Sequence, residues 1–190
     1  MEIILKNVRM AFPTIWIPQA INDGEPSFGA NFIVPPESDN AKLLAATIKK
    51  VAAEKWKDKT DAVLAKLKQD GRICYHTNPM TNSAGEVYSG FEGMYWVRTG
   101  NKMRPMIVDR NPNVPLTPAD GRPYGGCFVN AKIDLWAQDN KWGKRVNASL
   151  LVIQYVGPGE AFSGGAAPSI AGLEDLGEAA GAPFDADDLF

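Results

Sequence analysis

From residue 126 to 138 apolar and polar positions alternate strictly. Cys127, Val129, Ala131, Ile133, Leu135 and Ala137 fall on one side of an extended chain, and Phe128, Asn130, Lys132, Asp134, Trp136 and Gln138 on the other. That is the period of a half-buried strand. Segments 2–10, 28–34, 93–99, 103–109 and 144–156 share its richness in β-branched and aromatic residues and are bounded by Gly, Pro, Asn or Asp, so six strands are expected. Residues 139–143 between the last two read as a hairpin loop, which pairs those strands antiparallel. One stretch keeps a different period. After Pro35 and Pro36, Leu44, Ile48, Val51 and Ala52 recur at helical spacing, with Ser38 or Asp39 placed to cap the N-terminus. A second, shorter helix is expected from Thr60 to the Asp70-Gly71 pair, with Val63, Leu64 and Leu67 inward.

A mainly β chain with a helical insert at about 38–70 fits a five- or six-stranded antiparallel Greek-key barrel of the OB type, with a β-sandwich as the alternative. The domain is expected over 1–159. Residues 157–190 hold seven Gly, eight Ala and three Pro, a composition that buries too little apolar surface to offset ordering, so 160–190 reads as a linker and tail. The last residues differ in kind: Asp185, Asp187 and Asp188 lead into Leu189 and Phe190 at the free carboxylate, the make-up of a docking peptide.

Composition sets further bounds. With 45% hydrophobic and 22% charged residues the chain is of ordinary globular type, and its longest apolar runs, such as 148–153, fall far short of the roughly 20 residues a spanning helix needs. The N-terminus enters directly on a strand without a signal-peptide pattern, so a cytoplasmic protein is expected. Cys74 and Cys127 then read as small buried hydrophobes rather than a disulfide. The net charge of −2 conceals an asymmetry. Residues 1–159 carry all 20 Lys and Arg against 15 Asp and Glu, whereas 160–190 carry seven carboxylates and no cation, giving a +5 body and a −7 tail. Such a division points to a nucleic-acid-binding body.

The catalytic inventory is thin. His76 is the single histidine and no Cys pair stands at zinc-finger spacing, so neither a metal nor another cofactor is expected. No phosphate-cradling GxxxxGK[ST] or GxGxxG motif occurs. Asp109, Asp120 and Asp134 are scattered singly, which gives no positive sign of a two-metal nuclease without excluding one.

Aromatic residues interleaved with cations are the more specific signal. Trp136 and Phe128 share the polar side of a strand with Lys132. Such a surface can stack bases while Lys neutralises phosphate, although a covering helix or loop would explain Trp136 equally well. The hairpin loop adds Trp142, Lys144 and Arg145, and Arg98, Lys102 and Arg104 gather around Gly100-Asn101, beside Trp96. Arg9 and Phe28 are weaker candidates; Trp16 and Trp56 read as packing residues. The eight lysines of the insert are diluted by Asp39, Glu54, Asp58 and Asp61 and read as a solvated helix face. A +5 body is modest for coating a duplex, so stacking must carry more of the energy, which favours single strands.

Several passages resemble a family of bacteriophage single-stranded DNA-binding proteins. They are Gly125-Gly126-Cys127-Phe128-Val129-Asn130-Ala131, Leu135-Trp136-Ala137-Gln138-Asp139-Asn140, Val146-Asn147-Ala148-Ser149-Leu150, Gln154, and the 157–165 exit. Asn7-Val8-Arg9 and Phe32-Ile33-Val34-Pro35 add to the likeness. The resemblance implies an OB-fold that coats single-stranded DNA in phage replication and recombination without catalysis, in the cytoplasm of the infected bacterium. It also implies an acidic tail ending in Phe that recruits a polymerase, helicase or nuclease. This chain ends Asp-Asp-Leu-Phe, without the Ile-Pro-Phe of the common bacterial host tail, so a phage partner is expected rather than a host one. The tail is long enough to reach its own domain and to compete with phosphate there. Homo-oligomerisation is compatible with this reading. The rivals are an acidic-tailed adaptor that binds protein only and a metal-dependent nuclease.

Overall fold

The computed structural model describes residues 1–20 and 24–162; the tail residues Asp185, Asp187, Asp188, Leu189 and Phe190 lie outside the described residues. The chain runs β1 (Glu2–Ala11), β2 (Phe28–Val34), α1 (Asp39–Trp56), α2 (Thr60–Gln69), β3 (Tyr75–His76), β4 (Tyr95–Asn101), β5 (Met106–Val108), β6 (Phe128–Asn140) and β7 (Gly143–Gly157). The strand order is β3-β4-β2-β1-β6-β7-β5. β2 is antiparallel to both β1 and β4, with Asn31 opposite Arg98 and Ile33 opposite Trp96. β6 and β7 pair from Phe128↔Gly157 to Asn140↔Gly143, so the hairpin loop is the two residues Lys141 and Trp142.

The barrel closes through the segment between α2 and β3. Cys74 N donates to Val146 O (2.9 Å) and Val146 N to Arg72 O (3.1 Å), while Arg98 N donates to Cys74 O (2.8 Å), so residues 72–76 bridge β7 and β4. The interior is filled by alternate residues of each strand: Leu5, Val8 and Met10; Ala30, Phe32 and Val34; Val97; Val129, Ala131, Ile133 and Leu135; Val146, Ala148 and Leu150. A bulge lies near Leu151, where Lys132↔Val152 is followed by Ile133↔Leu150; this is why Ile153, and not Val152, is the next buried residue of β7.

α1 begins where expected. Ser38 Oγ accepts from Ala41 N (3.2 Å), and Leu44, Ile48, Val51 and Ala52 join the barrel core. Trp56 at its end is buried and donates from Nε1 to Asp139 Oδ2 at 3.1 Å, a packing role as expected. α2 ends at Gly71, whose φ of +64° completes the turn. Leu67 is buried, with Val63 and Leu64 packed partly against the core.

Three features differ from the sequence reading. Seven strands form rather than six, because β3 is two residues long and carries no period. β5 pairs in parallel with β7, where an all-antiparallel barrel was expected, and its other side is covered by 114–116 through Leu116 N to Ile107 O (2.9 Å) and Asp109 N to Val114 O (2.9 Å). Packing also extends past Gly157. Phe162 N donates to Gly125 O (3.1 Å), Tyr124 Oη to Gly159 O (3.0 Å), and the Phe162 ring lies against Phe91. Residues 158–162 thus form a strap that the Gly- and Ala-rich composition did not reveal. Gly126 admits it: at φ +111°, a Cβ there would lie 2.0 Å from Glu160 O.

Outside the barrel, Ala11, Ile33, Phe91 and Trp96 form a second buried cluster, flanked by Met80, Tyr88, Met94 and Phe162. It sits on the outward side of β1, β2 and β4.

Candidate nucleic-acid interface

Two adjoining hollows follow the outward side of β2 and β4, one of about 470 Å³ and the other of about 310 Å³; both are lined by Ser27, Trp96, Arg98 and Thr99. The larger runs from these residues to the β6–β7 hairpin, adding Arg72, His76, Trp136 and Arg145. The smaller runs toward the β1–β2 loop, adding Phe12, Asn31 and Met80. Together they make one groove bounded by the long hairpin at one end and the β1–β2 loop at the other. In OB folds, this surface and these loops bind oligonucleotides and oligosaccharides.

The lining contains no carboxylate, although the described residues carry both signs of charge. Its cations are Arg72, Arg98 and Arg145. Among the described residues none of the three has an ion pair, whereas other basic groups at the surface are engaged. Arg98 projects from the middle of β4 because Trp96, Arg98 and Gly100 share the outward parity and Val97 and Thr99 the inward one. Arg72 is placed by the closing segment, and its guanidinium reaches the turn end of the hairpin. A Cβ at Gly143, whose φ is +94°, would lie 2.6 Å from Arg72 Nη1.

The aromatic groups are held in defined orientations. Trp96 is nearly buried, donates from Nε1 to Asn78 O (3.0 Å), and is stacked face to face on His76 with ring centroids 3.9 Å apart and planes 14° from parallel. Burial, and then the nearby charge of Arg98, hold the His76 imidazole below its ordinary pKa. Cys74, also in the lining, is pushed up to about 12 by burial and stays a thiol. Trp136 is 40% exposed, and its Nε1 donates to Ser149 Oγ (3.0 Å), which fixes the indole at the groove rim rather than under the helices. Trp142, 72% exposed, stands at the hairpin tip with the Lys141 ammonium 5.1 Å from its ring centroid.

Of the residues singled out from sequence, Trp96, Arg98, Trp136 and Arg145 meet in the groove, and Trp142 stands at the tip of the hairpin that bounds it. The others lie elsewhere. Lys144 pairs with Asp139, whose carboxyl is held below the usual range chiefly by that contact. Lys102 pairs with Glu25, and the Arg104 guanidinium lies 4.9 Å from the Trp16 ring centroid, both beside the β1–β2 loop. Phe28 has the inward parity of Ala30 and Phe32. Lys132 points outward but toward β1, where it pairs with Glu2 at 2.5 Å. Phe128 lies beneath the strap at Gly159. Arg9 is consumed by the same strap, donating from Nε to Gly126 O (3.0 Å) and from Nη2 to Glu160 O (2.6 Å) with its guanidinium 4.0 Å from the Phe162 centroid. The groove residues the sequence reading missed are Arg72, His76, Phe12, Asn31 and Met80.

Among the described residues there is no group of three or more His, Cys, Asp or Glu that would hold a metal ion, and no helix is long and apolar enough to cross a membrane. A mostly β barrel with a helical insert and a groove along this surface is an OB-fold protein. The chain belongs to the family described as the single-stranded DNA-binding protein of Enterobacter phage Enc34, whose model matches residues 1–181. Protein p50 of Acyrthosiphon pisum secondary endosymbiont phage 1 is 39% identical over 180 residues, 93% of this chain and 94% of that one. Among solved structures, the bacteriophage Enc34 single-stranded DNA-binding protein in complex with single-stranded DNA has a TM-score of 0.68 at 24% identity, covering 85% of this chain and 89% of that one. The gp2.5 single-stranded DNA-binding protein of bacteriophage T7 has a TM-score of 0.53 at 11% identity, covering 88% and 98%; likeness at these identities is likeness of fold.

Proposed function

We propose that this protein binds single-stranded DNA along the groove, with little preference for sequence, and coats it during phage DNA replication and recombination in the infected bacterium. The observation that carries the reading is the carboxylate-free lining with its three guanidinium groups beside ordered aromatic rings. Arg98, Arg72 and Arg145 neutralise backbone phosphates, and Trp136 and Trp142 offer their faces to bases. Each base stacked on an aromatic contributes about 1–3 kcal/mol and is accepted whatever its identity, because every base has a π-face. Trp96 and His76 form a rigid stacked floor between them.

The acidic terminal segment acts as an intramolecular competitor. Six of its carboxylates, in 163–190, follow directly on the strap and are attracted to the cations that phosphate would engage. DNA then displaces the segment and frees Leu189 and Phe190 for a replication or recombination partner. The chain itself does no chemistry in this reading.

Intrinsic tryptophan fluorescence tests it. Oligo-dT at low salt is expected to quench the exposed Trp136 and Trp142, with log K falling against log salt at a slope of about −2 to −3.5 for three to five neutralised phosphates. No change in emission and no saturable binding would reject the proposal. Magnesium-dependent strand cleavage would instead favour a nuclease.

A further inference from the structure

A second cleft, of about 400 Å³, adjoins the groove at Arg72, which lines both. Its floor is aliphatic: Ala62, Val63 and Leu67, which recur along one side of α2 at helical spacing. Its rim is cationic, with Lys59 and Lys66 beside the helix, Arg72 from the closing segment and Lys144 from the hairpin; Asp70 is its one carboxylate. Lys144 is shared with Asp139. No aromatic ring lines the cleft, so it offers a base nothing to stack on, while its volume lies within the range of sites that enclose small ligands. An aliphatic floor inside a ring of cations is complementary to a short peptide with acidic residues around bulky apolar side chains.

The chain carries such a peptide. Asp185, Asp187 and Asp188 set negative charges against the rim cations, and Leu189 and Phe190 supply apolar side chains for the floor. Residues 163–184 separate this segment from the pinned Phe162; 22 residues of chain reach up to about 75 Å, against a radius of gyration of about 15 Å for a body of this size. We infer that the α2 cleft is the docking site of 185–190, supplied by the same molecule or a neighbouring copy. The inference deepens the reading of the tail as a competitor by placing the contest at Arg72, the residue common to cleft and groove. The docked segment and phosphate compete for Arg72, so DNA entering the groove weakens the docking and releases the segment.

The test uses the peptide Phe184–Phe190 carrying an N-terminal fluorophore, read by anisotropy at low salt against a chain ending at Asp188, whose own anchor is missing. Saturable binding is expected. It should weaken at least tenfold in Val63→Asp, in the more exposed Ala62→Glu and in Lys66→Glu, and stay unchanged in Lys49→Glu on α1; the intact chain should bind the peptide more weakly than the shortened one. Circular dichroism confirms that each variant is folded. Absent binding, or equal binding by the cleft variants and the Lys49 control, overturns the inference. So does a Lys66→Glu chain that loses oligo-dT affinity as far as Arg98→Ala while still binding peptide, because the cleft would then belong to DNA. The peptide readout contains no DNA, so failure of oligo-dT binding with peptide binding intact would sink the proposed function and leave the docking site standing.

Discussion

In the proposed function Arg98 and Trp136 do different work in the groove, and their substitutions should separate. Arg98→Ala removes one phosphate partner, so the salt slope for oligo-dT should become shallower by about 0.7 with a uniform loss of affinity across sequences. Trp136→Ala should leave the slope unchanged and weaken binding by about 1–3 kcal/mol, with Trp136→Phe recovering most of it. His76 adds a pH signature to stability. Its folded pKa is depressed by burial and by Arg98, so the unfolded chain holds the extra proton in the window just below the ordinary histidine value. Stability is therefore complete above that value and falls as the pH drops through it toward the folded pKa. Urea midpoints at pH 7.5 and 5.5 should differ more for the native chain than for His76→Phe. Some of the residues singled out from sequence lie outside the groove for a simple reason. Alternation tells inward from outward but not which way around a barrel an outward residue points; Lys132 and Trp136 have the same parity, yet one meets Glu2 on β1 and the other the groove. Arg72 and His76 escaped because nothing periodic surrounds them.

At the scale of elements, the long hairpin and the strap depend on single glycines. Gly143→Ala forces a side chain to φ +94° and into the Arg72 guanidinium, and should cost about 1–3 kcal/mol while disturbing the arginine proposed to meet phosphate. Gly126→Ala meets the Glu160 carbonyl instead. The barrel should survive and the strap detach, which limited proteolysis would detect as a new cut near residues 158–162 with the remaining domain intact. Strands and helices were legible because each carries its own period and punctuation: Ser38 before α1, Gly71 after α2, and the strict alternation of β6. β3, the parallel partner of β5 and the strap were not. Each is held by hydrogen bonds to distant residues such as Val146, Ile153 and Gly125, and local pattern carries no record of these.

For the molecule as a whole, the separation of a cationic domain from an acidic end was readable by counting, but the groove was not, since it is assembled from residues 12 through 149. Closure of the barrel by 72–76 and the cover of 114–116 over β5 have a consequence for crowding. In the proposed coat, copies seated side by side on one DNA strand would face one another at high local concentration, where unpaired β-strands fuse into aggregates. Here the backbone groups of 72–76 and of the outer side of β5 are already bonded within each molecule. Neighbours on such a coat are then less able to join to one another by strand pairing at these two edges.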